Sequence, residues 1–477
     1  MISKQKLTWF YSLCGLFIAA NTYFLYHEFY WLNLFPLALL LVGFALFSLD
    51  KLLLIIVFLT PLSVNLEKLE FGLGVALPTE PLMFGAMLIF LIKNFYERSY
   101  DNRILKHPIS IAIIINLIWI SIACITSELP MVSIKYLVSR LWFVVCFYFL
   151  AVELFRNKKN MKRFVWLYII PLTGIIIYTV ARHASFGFAE QPAHWVMQPF
   201  FKDHTSYGAI VAMFFPFIAV QLLAGKYEFN TKVIISFVLL VFVMGVIFSY
   251  TRATWASLGG ALALALVILL RIRWTYVATV LGIVVAFLVF NWTAIVLDME
   301  RNKEESSDDL VEHVQSISNI ASDASNLERL NRWNCAWKMF KERPMFGWGP
   351  GTYSFLYAPF QESGDQTIIS TNFGNKGNAH SEYLGPMSEA GLLGMLTFLV
   401  IVGLVIYRAV MLYYRMEDYD LKLLLLCVFL GLVTYYAHGL LNNYLDLDKA
   451  SVPFWGFTAI IVAMDIYHRG TDRSSVE

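Results

Sequence analysis

Apolar runs of about twenty residues recur along nearly the whole chain, and nothing else constrains its fold as strongly. About 20 consecutive apolar residues carry a helix across the hydrocarbon core. By that measure about fourteen segments qualify: 8–26, 31–49, 51–64, 80–97, 108–126, 136–155, 164–181, 205–224, 233–250, 253–271, 275–295, 386–408, 421–441 and 450–467. Lipid offers no partner to backbone N–H and C=O groups, so runs of this length and spacing are read as helices. Composition agrees: 58% of the 477 residues are hydrophobic, 16% aromatic and 15% charged, against about 25% charged in a soluble domain. The expected class is an all-α polytopic membrane protein of about 12–14 transmembrane helices. The third run is short and contains Pro61, which predicts a broken or re-entrant segment. The first follows Met1–Lys6 without a small-residue cleavage site and reads as an uncleaved span.

Charge placement orients these helices. With the N-terminus inside, inner segments hold about 21 Lys and Arg and short outer loops about 7, the asymmetry expected of cytoplasmic loops. Contributors to the inner side include Lys93, Arg98, Arg103 and Lys106, then Arg156, Lys158, Lys159, Lys162 and Arg163. A formal net charge of +2 without a concentrated basic face excludes a generic nucleic-acid binder. Cys14, Cys124, Cys146 and Cys427 fall within apolar runs and only Cys335 in a polar one, which excludes a disulfide framework or a Cys-rich metal site. No repeat of 20–50 residues and no pair of broken spans in inverted arrangement is apparent.

The one large extramembrane segment, 296–385, lies between the eleventh and twelfth spans on the outer side. Leu310, Val311, Val314 and Ile317 recur at helical spacing in its first part, 308–320. Ser325 to Glu328 fits a capping box that would start a helix running to about Lys341 and ending before Pro344. On it Leu327, Leu330, Trp333, Trp337 and Phe340 form an aromatic and apolar stripe, with Arg329, Arg332, Lys338 and Lys341 as cations. Such a helix suits the membrane interface.

Four places carry candidate chemistry. Arg252 is the only charged residue between Lys232 and Arg271. It reads either as an interfacial anchor or as a guanidinium poised for a phosphate-bearing headgroup, which it can grip bidentately. Arg329 and Arg332, three residues apart, form either a solvated basic face or an anion site. Gly347, Gly349 and Gly351 alternate between Pro344 and Thr352; the spacing matches neither the dinucleotide nor the P-loop motif. It predicts a tight turn that exposes N–H groups to an anion or simply connects two elements. His380, directly before the twelfth span, is a candidate base or a solvated loop residue. No H-E-x-x-H, His/Cys cluster or G-x-S-x-G elbow accompanies it, so neither a metal nor any other cofactor is expected.

In order and spacing these elements resemble the O-antigen ligase and O-antigen polymerase superfamily of bacterial envelope glycosyltransferases. The segment around Arg252 is similar to the family's Ser-Arg-x-x-Trp span end, with Thr251 where serine is usual. Glu328 through Trp337 to Pro344, followed by Gly347, Gly349 and Gly351, resembles its loop helix and glycine turn. His380 and Gly391 match its H-x10-G motif, and Asp446 and Asp448 resemble the acidic residues before its last span. Pro386 departs from the pattern and is expected to kink the helix leading from His380. The strong part spans 249–395, so the chain divides into N-terminal helices 1–248 and a ligase-related domain 249–477.

The resemblance implies a GT-C-like helical fold in the bacterial inner membrane with its site facing the periplasm. It implies metal-independent transfer of a glycan from undecaprenyl pyrophosphate to a sugar hydroxyl of lipid A-core or another glycan. His380, Arg252 and Arg329 are the implied catalytic residues; Arg332, Trp333, Trp337, Gly349, Gly351 and Asp446 the implied substrate-binding ones. Membrane lipid is a further partner; nucleic acid is not. The H-x10-G spacing and the loop helix favour ligase, with polymerase the alternative. A lipid-linked oligosaccharide flippase is the rival from another class, but transporters carry repeats or midplane charges, which these spans lack.

Overall fold

The computed structural model describes residues 4–28, 32–33, 43, 48–66, 75–291, 324–362 and 377–469. Helices dominate, and nine of them are long and apolar enough to cross a membrane among the described residues. The chain is a polytopic all-α membrane protein. α1 (Lys4–Tyr26) is followed by α2 (Leu49–Leu59), a hairpin of β1 (Val64–Leu66) and β2 (Val75–Leu77), and α3 (Thr79–Glu97). Then come α4 (Pro108–Ile125), α5 (Pro130–Leu154), α6 (Lys158–Ala184), α7 (His204–Ala224), α8 (Phe229–Ile247), α9 (Arg252–Leu269) and α10 (Trp274–Phe290). The loop helix α11 (Ala324–Glu342) precedes α12 (Leu384–Arg415), α13 (Tyr419–His438) and α14 (Asp448–Tyr467).

Short polar side chains start several of these helices by satisfying otherwise orphaned N–H groups. Asp203 accepts from Ser206 N at 2.7 Å at the head of α7, and Asp418 from Asp420 N and Leu421 N at the head of α13. Pro108 and Pro130 open α4 and α5, where a missing N–H costs nothing. Burial then sorts the helices. α13 and α14 are buried along most of their length, whereas α8 and α9 leave most of theirs uncovered. The uncovered side chains are Ile234, Phe237, Leu240, Leu262 and Leu266, a surface suited to hydrocarbon and to no aqueous solvent.

The third run behaves as the proline predicted. α2 has 11 residues, roughly 16 Å of helix, about half the core thickness. It ends in a turn at Pro61, and the chain returns through the antiparallel hairpin, with Val64 opposite Leu77 and Leu66 opposite Val75. Ser63 at the tip of this half-span donates to Asp448 Oδ2 at 2.6 Å, Thr79 donates to the same oxygen at 2.8 Å, and Lys449 Nζ donates to Ser63 O at 2.9 Å. Asp448, one of the acidic residues before the last span, and its neighbour Lys449 therefore fasten the half-span to the head of α14. Most of the run 31–49 and the amphipathic stretch 308–320 lie outside the described residues.

Pro386 does not kink α12. It is the third residue of that helix, in the first turn, where proline is tolerated. The break is at Gly391, with φ 71° and ψ −170° inside an otherwise continuous helix. It releases backbone groups that would otherwise pair along the helix, and the glycine turn takes them up. Trp348 N donates to Ser388 O at 3.1 Å, Gly349 N to Glu389 O at 2.8 Å, and Leu392 N to Pro344 O at 3.0 Å. A Cβ on Gly391 would lie 2.0 Å from Met345 O, and one on Gly347 2.3 Å from the Glu389 carbonyl carbon. The two glycine motifs are the halves of one backbone interlock that docks the extramembrane loop onto α12.

Candidate functional site

α7, α9, α12 and α14 begin, and α8 and α13 end, at one end of the bundle, and α11 packs against α12 there. The short segment 377–383 carries His380 between α11 and the helix heads. Its backbone is held at φ 49°, a left-handed conformation uncommon for a residue with a side chain. Asn378 Oδ1 accepts from His380 N at 3.1 Å, and Trp333 Nε1 donates to His380 O at 3.2 Å. The ring is tucked in, its Nδ1 sealed from solvent with no hydrogen-bond partner among the described residues. Burial, with the positive charges of Arg329 and Arg332, pulls its pKa down from the usual histidine value to about 4, against the opposing pull of Asn442 and Asp203. At neutral pH this imidazole is uncharged and able to accept a proton.

The two loop arginines do different work. Arg332 is 3% exposed: its Nε donates to Glu328 Oε1 at 2.6 Å, and its guanidinium lies 3.9 Å from the centre of the Tyr357 ring. The inner face of α11 therefore runs through Leu327, Glu328, Asn331, Arg332, Cys335, Ala336 and Met339 rather than through the aromatic stripe. Tyr353 and Tyr357 cover it. The capping-box expectation is corrected by the same geometry, because the described helix starts at Ala324, ahead of Ser325, and Glu328 faces Arg332. Arg329 lies half-buried and acts electrostatically on both His380 and Tyr444. Trp337 is exposed and rests on Phe340, their rings 5.4 Å apart. Trp337 thus points outward, as an interfacial helix requires, whereas Trp333 turns toward the His380 segment.

Arg252 occupies the first turn of α9, and the preceding Thr251 donates from Oγ1 to His204 O at 3.2 Å. The next residue, Ala253, joins Ala256, Trp333, Ser381, Leu384 and Leu441 around an apolar groove of about 540 Å³ between α9 and α13. On the other side of the His380 segment lies a polar cavity of about 220 Å³, lined by Asn378 and Ala379 together with Asp203, Arg140, Tyr444 and Asp446. His380 therefore sits on the strip of chain that separates an apolar groove from a polar cavity.

Sequence reasoning missed Glu382, which organises this strip. Buried and next but one to His380, its Oε1 accepts from Tyr435 Oη at 2.6 Å, Tyr444 N at 2.6 Å and Leu445 N at 2.9 Å. Its own N–H donates to Gly439 O at 2.8 Å. Burial pushes its pKa up. The same reading also missed His438 and Asn442: Asn442 Nδ2 lies 3.2 Å from His438 Nε2, behind His380. A Ser-Glu-Tyr run after a histidine carries no signal for this role, since the partners lie more than 50 residues away.

The glycines are placed by packing. Gly349 spends its N–H on Glu389 O, and a Cβ there would stand 2.0 Å from Ser127 Oγ. Gly351 touches Tyr136 and lines the polar cavity. Of the two readings of this turn, connection is the one that fits, because the N–H groups of Trp348 and Gly349 are bonded to α12 rather than open to an anion.

Residues 235–399 match the family model described as O-Antigen ligase. The match supports membership of the O-antigen ligase and polymerase superfamily and, in general terms, a membrane enzyme of glycosyltransferase type with a lipid-linked glycan donor and a glycan acceptor. Arg252, Arg329, Arg332, His380 and the interlocked glycines all fall within the matched residues, and Asp446 lies beyond them. A comparison with curated proteins found no match.

Proposed function

We propose that this chain transfers a glycan from undecaprenyl pyrophosphate to a sugar hydroxyl at the periplasmic face of the bacterial inner membrane, as a ligase whose acceptor is lipid A-core or another glycan. The observation that carries the reading is the position of a neutral, buried imidazole at the boundary between the apolar groove and the polar cavity, within the field of two arginines. A polyprenyl chain suits the apolar groove beside Trp333; a sugar suits the polar cavity.

In the reaction the acceptor oxygen bonds to the anomeric carbon as the bond from that carbon to the pyrophosphate oxygen breaks. The electron pair leaves with the pyrophosphate and the hydroxyl proton passes to His380. Arg252 and Arg329 would meet the charge growing on the leaving group through charge-assisted hydrogen bonds. Arg332, locked to Glu328, would contribute its charge from a fixed position. Asp446, Gly351 and Trp333 would line the substrate path, with Trp337 at the membrane interface and Gly349 holding the turn. A proton acceptor of this kind typically contributes about 10²–10⁴ in rate, and an oriented cation about 10²–10³.

The test is transfer in liposomes containing the full-length protein, an undecaprenyl-pyrophosphate-linked oligosaccharide and candidate acceptors. His380→Ala, Arg252→Ala and Arg329→Ala should each lose about two orders of magnitude or more. Transfer at the wild-type rate by all three variants would sink the mechanism. Activity should survive EDTA; loss restored by a divalent ion would overturn the metal-independent part.

A further inference from the structure

The polar cavity beside His380 is unusual in what its walls lack. Asp446, an exposed residue, lines it, and no side chain or neighbouring N–H among the described residues donates to its carboxylate apart from its own backbone. Asn443 Oδ1, on the same wall, is sealed from bulk solvent and equally without a donor among the described residues. The other carboxylates are engaged: Glu382 by three donors, Asp203 by Ser206 N and Thr205 Oγ1, and Glu389 by Tyr353 N at 3.0 Å. Two cations, Arg140 and Lys202, face four acids across this space. Arg140 is itself tied to Tyr136 Oη at 2.6 Å.

Acceptors without donors define their ligand. Asn443 Oδ1 is a sealed acceptor left unpaired and the open Asp446 carboxylate has acceptor positions to offer, so an occupant that brings O–H or N–H groups is stabilised, whereas a phosphate or carboxylate brings more acceptors and meets like charge. The volume of about 220 Å³ is below the roughly 300–1,000 Å³ that encloses a drug-sized ligand and suits one sugar ring. Tyr136, Tyr353 and Tyr444 supply aromatic faces for its C–H surface.

We infer that this cavity is the subsite for the acceptor sugar and that Asp446 and Asn443 make it selective for an uncharged or amino sugar, excluding phosphorylated and uronic acid rings. The inference rests on the glycan-transferase reading and sharpens it: the ring offering the reacting hydroxyl is not itself anionic, even where the acceptor carries phosphate elsewhere. Asp446 acts here as a specificity residue through hydrogen bonds to ring hydroxyls.

Saturation-transfer NMR on the full-length protein in nanodiscs tests it without requiring turnover. The probes are methyl glucoside, glucosamine, glucose 6-phosphate and glucuronic acid. The first two should saturate at concentrations at least tenfold lower than the last two. Asp446→Ala should weaken methyl glucoside about tenfold, Asp446→Asn less, and Asp446→Lys should invert the order by admitting the anionic sugars, while thermal unfolding confirms that each variant is folded. Equal binding of neutral and anionic probes by the wild type, or unchanged methyl glucoside binding by Asp446→Ala, would overturn the inference. The two readings fail separately. Selective, Asp446-dependent sugar binding without glycan transfer supports the subsite and refutes the transferase. Transfer whose acceptor KM ignores Asp446→Ala refutes the subsite alone.

Discussion

Replacing Gly391 by alanine attacks the interlock at its tightest point. The native φ of 71° with ψ −170° lies in a region essentially reserved for glycine, which costs a residue with a side chain about 1–3 kcal/mol. The added Cβ would stand 2.0 Å from Met345 O and 2.4 Å from its carbonyl carbon. These are backbone atoms that cannot swing aside, so the 344–351 turn must shift, an overpacking penalty of about 1–3 kcal/mol. The sum is roughly 2–6 kcal/mol, a large share of the about 5–15 kcal/mol that usually holds a protein folded. Gly403→Ala is the matched control. It lies in the same helix with nothing within 4 Å of a built Cβ, where alanine should be neutral or stabilising by up to about 1 kcal/mol. Thermal unfolding in detergent, followed by tryptophan fluorescence, should show Gly391→Ala melting several degrees below wild type and Gly403→Ala at or above it. Proteolysis within 344–351 should rise only in the former. If Gly391→Ala melts with the wild type and its turn stays protected, the docking of the loop does not depend on the break in α12.

Two further outcomes follow from the strip around His380. Its depressed pKa means that the folded protein binds this proton less tightly than the unfolded chain. The stability it contributes is therefore complete above about 6.5 and lost as pH falls toward about 4. The acid limb of kcat/KM should fall near 4 in wild type and move upward in Arg329→Gln, which removes one of the two cations; a limb that stays put would separate His380 from that arginine. Bound pyrophosphate should offset the same cations, so the limb of kcat should lie above that of kcat/KM. Glu382→Ala leaves Tyr435 Oη, Tyr444 N and Leu445 N without their shared acceptor and should cost about 3–5 kcal/mol in thermal or denaturant unfolding. Glu382→Gln keeps a carbonyl in place and should cost less; equal losses would contradict the hydrogen-bond account.

What the sequence disclosed is what lipid imposes. Helix positions from 108–126 onward agree with the runs of apolar residues because a span is set by its own composition. The break at Pro61 was legible for the same local reason. The loop helix ended where Pro344 requires, and its exposed Trp337 suits the expected interface, but its buried face was not legible. A stripe of Leu, Trp and Phe outranks Glu and Arg on any hydrophobic scale, but Glu328 and Arg332 neutralise each other and lie under Tyr357, so the polar pair is buried and Trp337 is not. Pairing across four residues can be suspected from sequence; its burial depends on Tyr353 and Tyr357, which arrive from outside the helix.

The motifs themselves have an architectural content that their spacing does not announce. Ten residues separate His380 from Gly391, which is the length of chain needed to run from the His380 segment into α12 and through about two turns to the break. At that break the turn from Pro344 to Gly351 is bonded to the helix, and the same turn is anchored through Glu128 N to Trp348 O at 3.0 Å and Arg343 to Glu128 at 2.8 Å. Arg329 and Arg332 sit on α11, immediately ahead of the turn, so their distance from His380 is set by how firmly 344–351 holds to Gly391. The glycines of the interlock therefore help to fix the arginine field that, with burial, keeps the imidazole neutral. A loosened interlock should weaken the arginine–histidine coupling before it unfolds the bundle, because α13 and α14, which carry the other wall of the site, are buried along most of their length.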